Sequence, residues 1–344
     1  MIISKTPFRV SFFGGGTDYP TWVEDHGGSV LAGAINKYCY ISLRQLPPFF
    51  EHRHRVVYSR VETVKKISKI QHPAIRAVLQ DMRVDTGVEI HHDADLPARS
   101  GLGSSSSFTV GMVQCINAMR GKISDKRTLA REAIRLEQDV MKEHVGYQDQ
   151  VTTAYGGFNR VDFHRNGHFD VTPVILPRER MVDLQDHLLL FFSGISRFAS
   201  GVAKKKIKNL KKRENQLLTM QAMVGEAIEI LQDRKQSITQ FGKLLDESWK
   251  LKRTLSSAVT NTVIDDIYAD AISAGASGGK LMGAGAGGFM VFVAPPEYHQ
   301  RIRDKLSPLV PVDIRFDFSG SRIIVYDPEK AIPDPRPAID DDED

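Results

Sequence analysis

Two glycines and four serines stand together in one stretch of the chain, Leu96-Pro-Ala-Arg-Ser-Gly-Leu-Gly-Ser-Ser-Ser-Ser-Phe108. The serines begin a segment with apolar residues at close to a helical period, and an alternating, strand-like segment precedes the glycines. A loop of this kind can turn unpaired backbone N–H groups at a helix N-terminus toward an anion. Serine hydroxyls can add hydrogen bonds or a metal ligand. The residues alone leave two interpretations open, an anion-binding loop or a flexible turn before a serine-capped helix.

Another glycine cluster ends a strand predicted over residues 2–13, in which Arg9 lies inside an apolar stretch. The cluster is Gly14-Gly-Gly-Thr-Asp18, so one carboxylate follows directly on a segment whose backbone can approach a ligand closely. The same residues also suit a glycine turn that is closed by an Asx cap.

Two further carboxylates accompany a helix predicted from Lys126 to His144. Glu137 falls on the apolar face of this helix, where a carboxylate is costly unless it is paired or binds a metal. A salt bridge to Arg131 or Lys142 explains its position equally well. Asp149 follows just beyond the predicted end of the helix.

A third glycine cluster, Gly278-Gly-Lys-Leu-Met-Gly-Ala-Gly-Ala-Gly-Gly-Phe289, contains the pattern G-x-G-x-x-G. It leads into a strand-like segment, whereas a dinucleotide-binding fingerprint leads into a helix. It also fails as a Walker A loop, because Ala274 stands where the first glycine is required and Leu281 replaces Ser or Thr. We therefore predict a tight loop that packs closely against other backbone or a ligand.

The composition excludes several classes of protein. The net charge of +4, from 46 basic and 42 acidic residues, is too small to indicate a nucleic-acid-binding protein. The two cysteines, Cys39 and Cys115, argue against a disulfide framework or a cysteine-rich metal site and favour a reducing cytosol. No signal-peptide pattern and no apolar stretch long enough to span a bilayer is present. The prediction is a cytoplasmic protein with no membrane association.

The length of 344 residues suits two domains. We place them at residues 1–180 and 181–330, followed by a proline-rich and then acidic tail, 331–344, that is expected to be disordered. A basic run at 204–213 is typical of a solvated helix face. The second domain is predicted to contain one buried strand and three helices, over residues 188–192, 215–232, 237–256 and 262–274.

Three motifs in this order resemble those of the GHMP kinases, the superfamily of galactokinase, homoserine kinase, mevalonate kinase and phosphomevalonate kinase. The motifs are Pro7-Phe-Arg-Val-Ser-Phe-Phe-Gly-Gly-Gly-Thr-Asp18, Leu96-Pro-Ala-Arg-Ser-Gly-Leu-Gly-Ser-Ser105 and Lys280-Leu-Met-Gly-Ala-Gly-Ala-Gly-Gly288. The resemblance extends from about residue 2 to 328. It implies an α+β fold of two domains, with a mixed-sheet N-terminal domain and a ferredoxin-like C-terminal domain. It also implies phosphoryl transfer from ATP, with Mg²⁺, to a sugar hydroxyl.

The resemblance implies a role for each matching residue. Asp149 would orient and deprotonate the acceptor hydroxyl, and Arg9 would hold Asp149 ionised and offset charge on the transferred phosphoryl group. Ser105 and Glu137 would ligate magnesium, and Asp18 would bind sugar hydroxyls. The residues implied to hold the ATP phosphates are Gly101, Leu102, Gly103, Ser104, Ser105, Ser106 and Ser107. Those implied to contact the sugar together with Asp18 are Gly15, Gly16, Thr17, Gly285 and Arg99.

Within the superfamily, the chain is most similar to the bacterial D-glycero-D-manno-heptose 7-phosphate kinases, through Pro-Pro-Phe-Phe-Glu-His and Gly-Tyr-Gln-Asp-Gln among other phrases. Galactokinases carry Gly-Glu-His-Thr-Asp-Tyr at the first motif, and this chain has lost the Glu and His that hold galactose, which leaves room for a larger sugar. The implied reaction is phosphorylation of the heptose 7-phosphate at its anomeric hydroxyl, for surface glycans such as lipopolysaccharide. The alternatives are a fucokinase-like sugar-1-kinase and a catalytically silent sugar sensor.

The substrates implied are small molecules, a sugar phosphate and ATP, and a homodimer is left open. The substrate phosphate requires cationic partners, and the sequence does not rank its candidates, Arg53, Arg55, Arg99 and Arg197.

Overall fold

The computed structural model describes residues 1–98, 100–195, 210–328 and 332, which form two sheets with helices packed around them. The strands are β1 (Ile2–Phe13), β2 (Gly28–Gln45), β3 (His54–Val57), β4 (Val61–Val64), β5 (Val88–Ala94), β6 (Phe158–Phe163), β7 (Phe169–Pro173), β8 (Leu188–Phe192), β9 (Gly278–Leu281), β10 (Phe289–Val293), β11 (Val310–Val312) and β12 (Arg322–Tyr326). The helices are α1 (Pro20–His26), α2 (Pro73–Asp81), α3 (Ser104–Met119), α4 (Lys126–Arg135), α5 (Gln148–Tyr155), α6 (Arg178–Asp186), α7 (Glu214–Gln232), α8 (Ile238–Thr254), α9 (Thr262–Ser273) and α10 (His299–Lys305).

The first sheet is mixed, as predicted for the N-terminal domain. Its strands run in the order β12-β1-β2-β5-β3-β4, and β6 and β7 continue from β2. β3 pairs with β5 in parallel, and the other described pairs are antiparallel. β1 is buried throughout its second half, because α3, α7 and α8 all contact it. Burial on both sides explains why this strand is apolar at nearly every position.

The second sheet is antiparallel with the order β11-β8-β10-β9. Helices α7, α8 and α9 connect β8 to β9, and α10 connects β10 to β11. This is the β-α-β-β-α-β pattern of a ferredoxin-like unit, so the predicted fold of the C-terminal domain is confirmed. The predicted strand at 188–192 is β8, and the three predicted helices are α7, α8 and α9.

Helices α3 and α4 and the π-helical turn after α4 position the residues of interest. α3 begins directly after Gly103, which takes a left-handed conformation with φ of 75°. α4 is capped at its N-terminus by Asp125, whose side chain accepts a hydrogen bond from the N–H of Thr128. The predicted helix from Lys126 to His144 is shorter than expected, because α4 ends at Arg135 and a π-helical turn follows over Leu136–Val140.

The chain returns to the first sheet after the second. β12 pairs with β1, and Ile35 bridges to Phe316. Residues 322–326 therefore belong to the first sheet, although the predicted boundaries assigned them to the C-terminal domain. α6 spans the predicted boundary at residue 180.

Two predicted segments lie mainly outside the described residues. They are the acidic tail, except for Ile332, and most of the basic run at 204–213. Within the described ranges, no helix combines the length and the apolar character that crossing a membrane requires.

Candidate active site

Arg9 on β1 and Asp149 on α5 form a bidentate ion pair. The Arg9 Nε donates to Asp149 Oδ1 at 2.8 Å and its Nη2 donates to Oδ2 at 2.7 Å. The Arg9 side chain is 4% exposed and that of Asp149 is 26% exposed. Two parallel charge-assisted hydrogen bonds fix the plane of the carboxylate and leave one edge of it accessible. The predicted pairing of these two residues is present in the structure.

Arg9 also contacts the glycine–serine loop. Its Nη1 donates to the carbonyl oxygen of Gly101 at 2.7 Å, and its backbone N–H donates to the carbonyl oxygen of Leu102 at 3.0 Å. A Cβ atom at Gly103 would lie 3.0 Å from Arg9 Cγ and 3.6 Å from Asp149 Oδ2. The loop backbone therefore passes directly over the ion pair, and the free N–H groups of α3 begin at this point.

The seven predicted phosphate-loop residues do not all face the same way. Ser104 is half-buried and Ser105 is exposed, so these two lie at the surface of the loop. Leu102 is a core residue, and the Ser107 hydroxyl donates to the carbonyl oxygens of Pro7 and Gly103. The side chains of Leu102 and Ser107 therefore hold the loop in place.

Glu137 is completely buried, as the position on an apolar face predicted. Its Oε2 accepts hydrogen bonds from Ser106 Oγ at 2.9 Å and from Gln150 Nε2 at 2.6 Å. Its other oxygen, Oε1, has no hydrogen-bond partner among the described residues. Burial raises the pKa of Glu137 to about 7, even though the hydrogen bonds that the carboxylate accepts lower it.

The surroundings of Glu137 suit a magnesium ion. An unpartnered carboxylate oxygen beside a serine hydroxyl offers the oxygen ligands that Mg²⁺ prefers, with nucleotide oxygens and water to complete the set. Ion pairs from Arg131 or Lys142 to Glu137, the alternative from sequence, are absent among the described residues. In the part of the chain that is described, no three His, Cys, Asp or Glu side chains group as metal ligands. An ion at Glu137 would therefore need further oxygen ligands besides this carboxylate, such as a serine hydroxyl and nucleotide oxygens.

The serine in contact with Glu137 is Ser106, whereas the resemblance named Ser105. Successive residues of a helix point about 100° apart, so the two side chains face in different directions. Ser105 stays a predicted ligand, and Ser106 is the serine that the described geometry favours.

Asp18 is 2% exposed and is fixed by two donors. Its Oδ1 accepts from the N–H of Gly16 and its Oδ2 accepts from Gln148 Nε2, both at 2.9 Å. Gly146 packs so closely that a Cβ atom there would lie 2.0 Å from Asp18 Oδ2. The first motif is therefore held against the segment that begins α5, next to Asp149.

Two of the predicted sugar contacts, Thr17 and Gly285, differ from expectation. Thr17 is fully buried and its hydroxyl donates to the carbonyl oxygens of Gly14 and Ser29, so it holds the loop and does not line the site. A Cβ atom at Gly285 would lie 2.7 Å from the Val259 backbone, so Gly285 packs within the C-terminal domain. Arg99 lies outside the described residues.

The third glycine cluster packs against the backbone of the glycine–serine loop, in agreement with the prediction that it lies close to other backbone or a ligand. A Cβ atom at Gly283 would lie 2.6 Å from Gly101 Cα, and one at Gly288 would lie 2.3 Å from the Ser100 carbonyl oxygen. The N–H of Phe289 donates to the same carbonyl at 3.1 Å. These distances leave no room for side chains between the two backbones.

The candidate cations for a substrate phosphate have other partners or are not described. Arg55 pairs with Glu89 at 2.9 Å, and Arg53 donates to the carbonyl oxygen of Asp85. Arg197 lies outside the described residues, as Arg99 does.

Sequence reasoning missed several polar residues around the site. Gln148 and Gln150 flank Asp149 in the sequence, and this adjacency was the signal available for them. Lys252, whose Nζ donates to the carbonyl oxygens of Leu281 and Gly283 at 2.9 and 2.8 Å, also went unnoticed. It follows Trp249 by three residues, which places it on the buried face of α8.

Two family models match the chain. The model for the GHMP kinases N terminal domain matches residues 63–157, and the model for the GHMP kinases C terminal region matches residues 224–309. The chain belongs to the GHMP kinases. It is therefore an ATP-dependent phosphotransferase, and the family predicted from the three motifs is confirmed.

Among other GHMP kinases, D-glycero-alpha-D-manno-heptose 7-phosphate kinase of Campylobacter jejuni is 28% identical over 305 residues, which cover 86% of this chain and 90% of that protein. L-fucokinase/L-fucose-1-P guanylyltransferase of Bacteroides fragilis is 27% identical over 90% of this chain, but the match covers 36% of that protein. The crystal structure of a D-glycero-D-manno-heptose 1-phosphate kinase from Bacteroides thetaiotaomicron has the same fold, with a TM-score of 0.76 at 21% identity over 94% of this chain and 98% of that one.

Proposed function

We propose that this GHMP kinase phosphorylates the anomeric hydroxyl of D-glycero-D-manno-heptose 7-phosphate to give the 1,7-bisphosphate, for nucleotide-activated heptose and surface glycans. The observation that carries a kinase reaction at this site is the Asp149 carboxylate, held by Arg9 directly beneath the phosphate loop. The heptose is supported by the Campylobacter jejuni relative of that name, which aligns with 86% of this chain.

Asp149 orients the acceptor hydroxyl and takes its proton. As the oxygen of that hydroxyl bonds to the γ-phosphorus of ATP, the bond from phosphorus to the ADP oxygen breaks. Arg9 fixes the plane of the carboxylate through two parallel hydrogen bonds, so that its accessible edge can meet the acceptor hydroxyl. Phosphoryl transfer depends mainly on positioning and charge stabilisation, which an ion pair at the start of α3 can supply.

ATP phosphates fit the N-terminus of α3, where the backbone N–H groups and the helix dipole favour an anion. Glu137 Oε1 and the Ser106 hydroxyl would hold Mg²⁺ beside them. When bound, the ion neutralises charge on the phosphate oxygens.

A fucokinase-like activity is the second candidate. It is favoured by the Bacteroides fragilis relative, which matches 90% of this chain at an identity close to that of the heptose kinase. A silent sugar sensor is less well supported, because the ion pair of Arg9 and Asp149 and the buried Glu137 both lie beside the glycine–serine loop.

A panel of acceptors tests the proposal. Heptose 7-phosphate, the unphosphorylated heptose, L-fucose, galactose and mevalonate are each offered with ATP and Mg²⁺, and kcat/KM is measured from ADP release. We expect kcat/KM for heptose 7-phosphate to exceed that for the unphosphorylated heptose by about 100-fold or more, since each charge-assisted contact that the phosphate would make is worth about 1.5–3 kcal/mol. Phosphorus NMR identifies the phosphorylated position.

Asp149→Asn is the control for the panel. It keeps the shape of the side chain, and we expect turnover to fall by about 10²–10⁴ while ATP still binds. Equal use of both heptoses would refute the phosphate requirement, and a preference for L-fucose would establish the second candidate. Near-normal turnover of Asp149→Asn would remove the role given to Asp149.

A further inference from the structure

Two buried polar atoms beside Gly15 lack partners. They are Ser11 Oγ and Gln148 Oε1, neither of which has a hydrogen-bond partner among the described residues. A Cβ atom at Gly15 would lie 3.5 Å from Ser11 Oγ and 3.8 Å from Gln148 Nε2, so both side chains flank the same glycine. A buried polar atom without a partner destabilises the folded state, and such atoms are rare in folded proteins.

The orientation of the Gln148 amide is determined by Asp18. Its Nε2 donates to Asp18 Oδ2 at 2.9 Å. The flipped amide would place two acceptors, the amide oxygen and a carboxylate oxygen, against each other. Gln148 Oε1 must therefore face away from Asp18, as a fixed acceptor that needs a donor from elsewhere.

The position of this acceptor points to the substrate. Ser11, which flanks Gly15 together with Gln148, lies two residues after Arg9 on β1, so the side chains of Ser11 and Arg9 are on the same face of the strand. Arg9 in turn pairs with Asp149. A sugar hydroxyl that meets Ser11 and Gln148 would therefore lie on the side of β1 that faces Asp149.

We infer that Gln148 and Ser11 form a hydroxyl-reading subsite that selects a polyhydroxylated acceptor. Gln148 Oε1 accepts a hydrogen bond from a second hydroxyl of the sugar, and the Ser11 hydroxyl pairs with the same group or its neighbour. This inference rests on the proposed function only in that the acceptor is a sugar. Such a subsite discriminates strongly, because an acceptor that lacks the hydroxyl leaves a buried group unpaired.

Gln148→Met tests the inference, since methionine keeps the length of the side chain and removes the amide. We expect kcat/KM for the acceptor to fall about 10- to 100-fold and the KM for ATP to stay within about twofold, because the nucleotide lies on the α3 side. Ser11→Ala should lower kcat/KM for the acceptor by about 3- to 30-fold. Gln80→Met, at an exposed position of α2, is the matched control.

Deoxy sugars identify the hydroxyl that Gln148 binds. In the wild type, removal of that hydroxyl should cost the same factor as Gln148→Met, and in Gln148→Met its removal should cost nothing more. If the loss caused by Gln148→Met and the loss caused by removing a hydroxyl are additive for every deoxy sugar, the subsite is refuted. An unchanged kcat/KM for the acceptor in Gln148→Met would also refute it. The same holds if the KM for ATP rises by the same factor as kcat/KM for the acceptor falls.

The heptose substrate and the Gln148–Ser11 subsite can be refuted independently. The heptose is judged on the wild-type panel, whereas Gln148→Met is measured with the acceptor that the wild type uses best, whichever it is. Thermal melting and ATP titration establish that each variant is folded. If Gln148→Met does not fold, Ser11→Ala and Gln148→Asn, which retains an amide that is one methylene shorter, undergo the same comparison and are judged by the same outcomes.

Discussion

The Arg9 guanidinium uses all three of its nitrogens in the site. Two donate to Asp149 and the third donates to the carbonyl oxygen of Gly101, so one side chain determines the distance between the carboxylate and the phosphate loop. A lysine has the same charge but lacks the planar fork, and it would lose this geometry. Glu137 differs, because one of its oxygens is satisfied by Ser106 and Gln150 and the other is unpartnered among the described residues.

Ser106 and Ser105 provide a matched pair of alanine variants. Because the Ser106 hydroxyl contacts Glu137 and Ser105 is exposed, we expect Ser106→Ala to raise the Mg²⁺ concentration for half-maximal activity by about tenfold. Ser105→Ala should raise it less. The measurement is a Mg²⁺ titration of turnover at saturating ATP, and the reverse order would support Ser105 as the ligand.

Two elements hold the residues of the candidate site in place around the start of α3. The π-helical turn after α4 holds Glu137 against α3, and turns of this kind often occur at functional sites. The loop between β9 and β10 lies on the other side, where its glycines bring two backbones into contact. Lys252 supports that loop by donating to the carbonyl oxygens of Leu281 and Gly283.

Gly283→Ala tests the contact between the two loops. Gly283 has φ of +71°, and a Cβ atom there would meet Gly101 Cα, so the phosphate loop must move. We expect the KM for ATP to rise about tenfold, the equivalent of about 1.4 kcal/mol of binding energy. The measurement is the KM for ATP at saturating acceptor.

Gly121→Ala is the matched control, because Gly121 has φ of +73° and nothing lies within 4 Å of the added Cβ atom. Both variants should lose about 1–2 kcal/mol of unfolding free energy from the left-handed backbone. Only Gly283→Ala should change the KM for ATP, and an equal change in both variants would show that strain, not contact, is responsible.

The two sheets are joined at several points across the whole molecule. Lys280 on β9 donates to the carbonyl oxygen of Phe12 at 2.6 Å, and β12 returns the chain to the edge of the first sheet beside β1. At the other side of that sheet, Glu89 is 4% exposed and joins three strands, through Arg44 on β2, Arg55 on β3 and His91 on β5. The homodimer left open by the sequence stays a prediction.

The Glu89 cluster should make stability depend on pH. Burial alone would raise the pKa of Glu89, but hydrogen bonds from His91 and Arg44 and the charges of Arg44 and Arg55 outweigh it and hold the pKa below its usual value. The stabilisation is therefore complete above the unfolded pKa of about 4.3 and is lost as the pH falls through the folded value. We expect Glu89→Gln to lower the unfolding free energy by about 2 kcal/mol at pH 7.

Urea unfolding at pH 7 and near pH 3.5 measures this effect. The difference between wild type and Glu89→Gln should shrink at the lower pH, because below about pH 4.3 the unfolded chain takes up a proton on Glu89 and the stabilisation from the ionised carboxylate declines. Glu226→Gln, at an exposed position of α7, should show no such change. A difference that is the same at both pH values would contradict the role given to the ionised carboxylate.

The sequence by itself determined the features that depend on local order. The strand at 2–13, the start of α4 at Lys126, the helices of the second domain and the three glycine motifs all follow from periodicity and turn chemistry, which act over a few residues. The ion pair of Arg9 and Asp149 came from the resemblance to the family, because nothing local joins residues so far apart.

Only the tertiary structure decided which groups meet. The π-helical turn and the phase of α3 bring Ser106, not Ser105, to Glu137, and the return of β12 moves residues 322–326 into the first sheet. Thr17 bonds to backbone, and Gly285 packs on Val259. Each of these outcomes depends on helix phase, strand pairing or packing between segments distant in sequence, and neither periodicity nor residue type specifies those contacts.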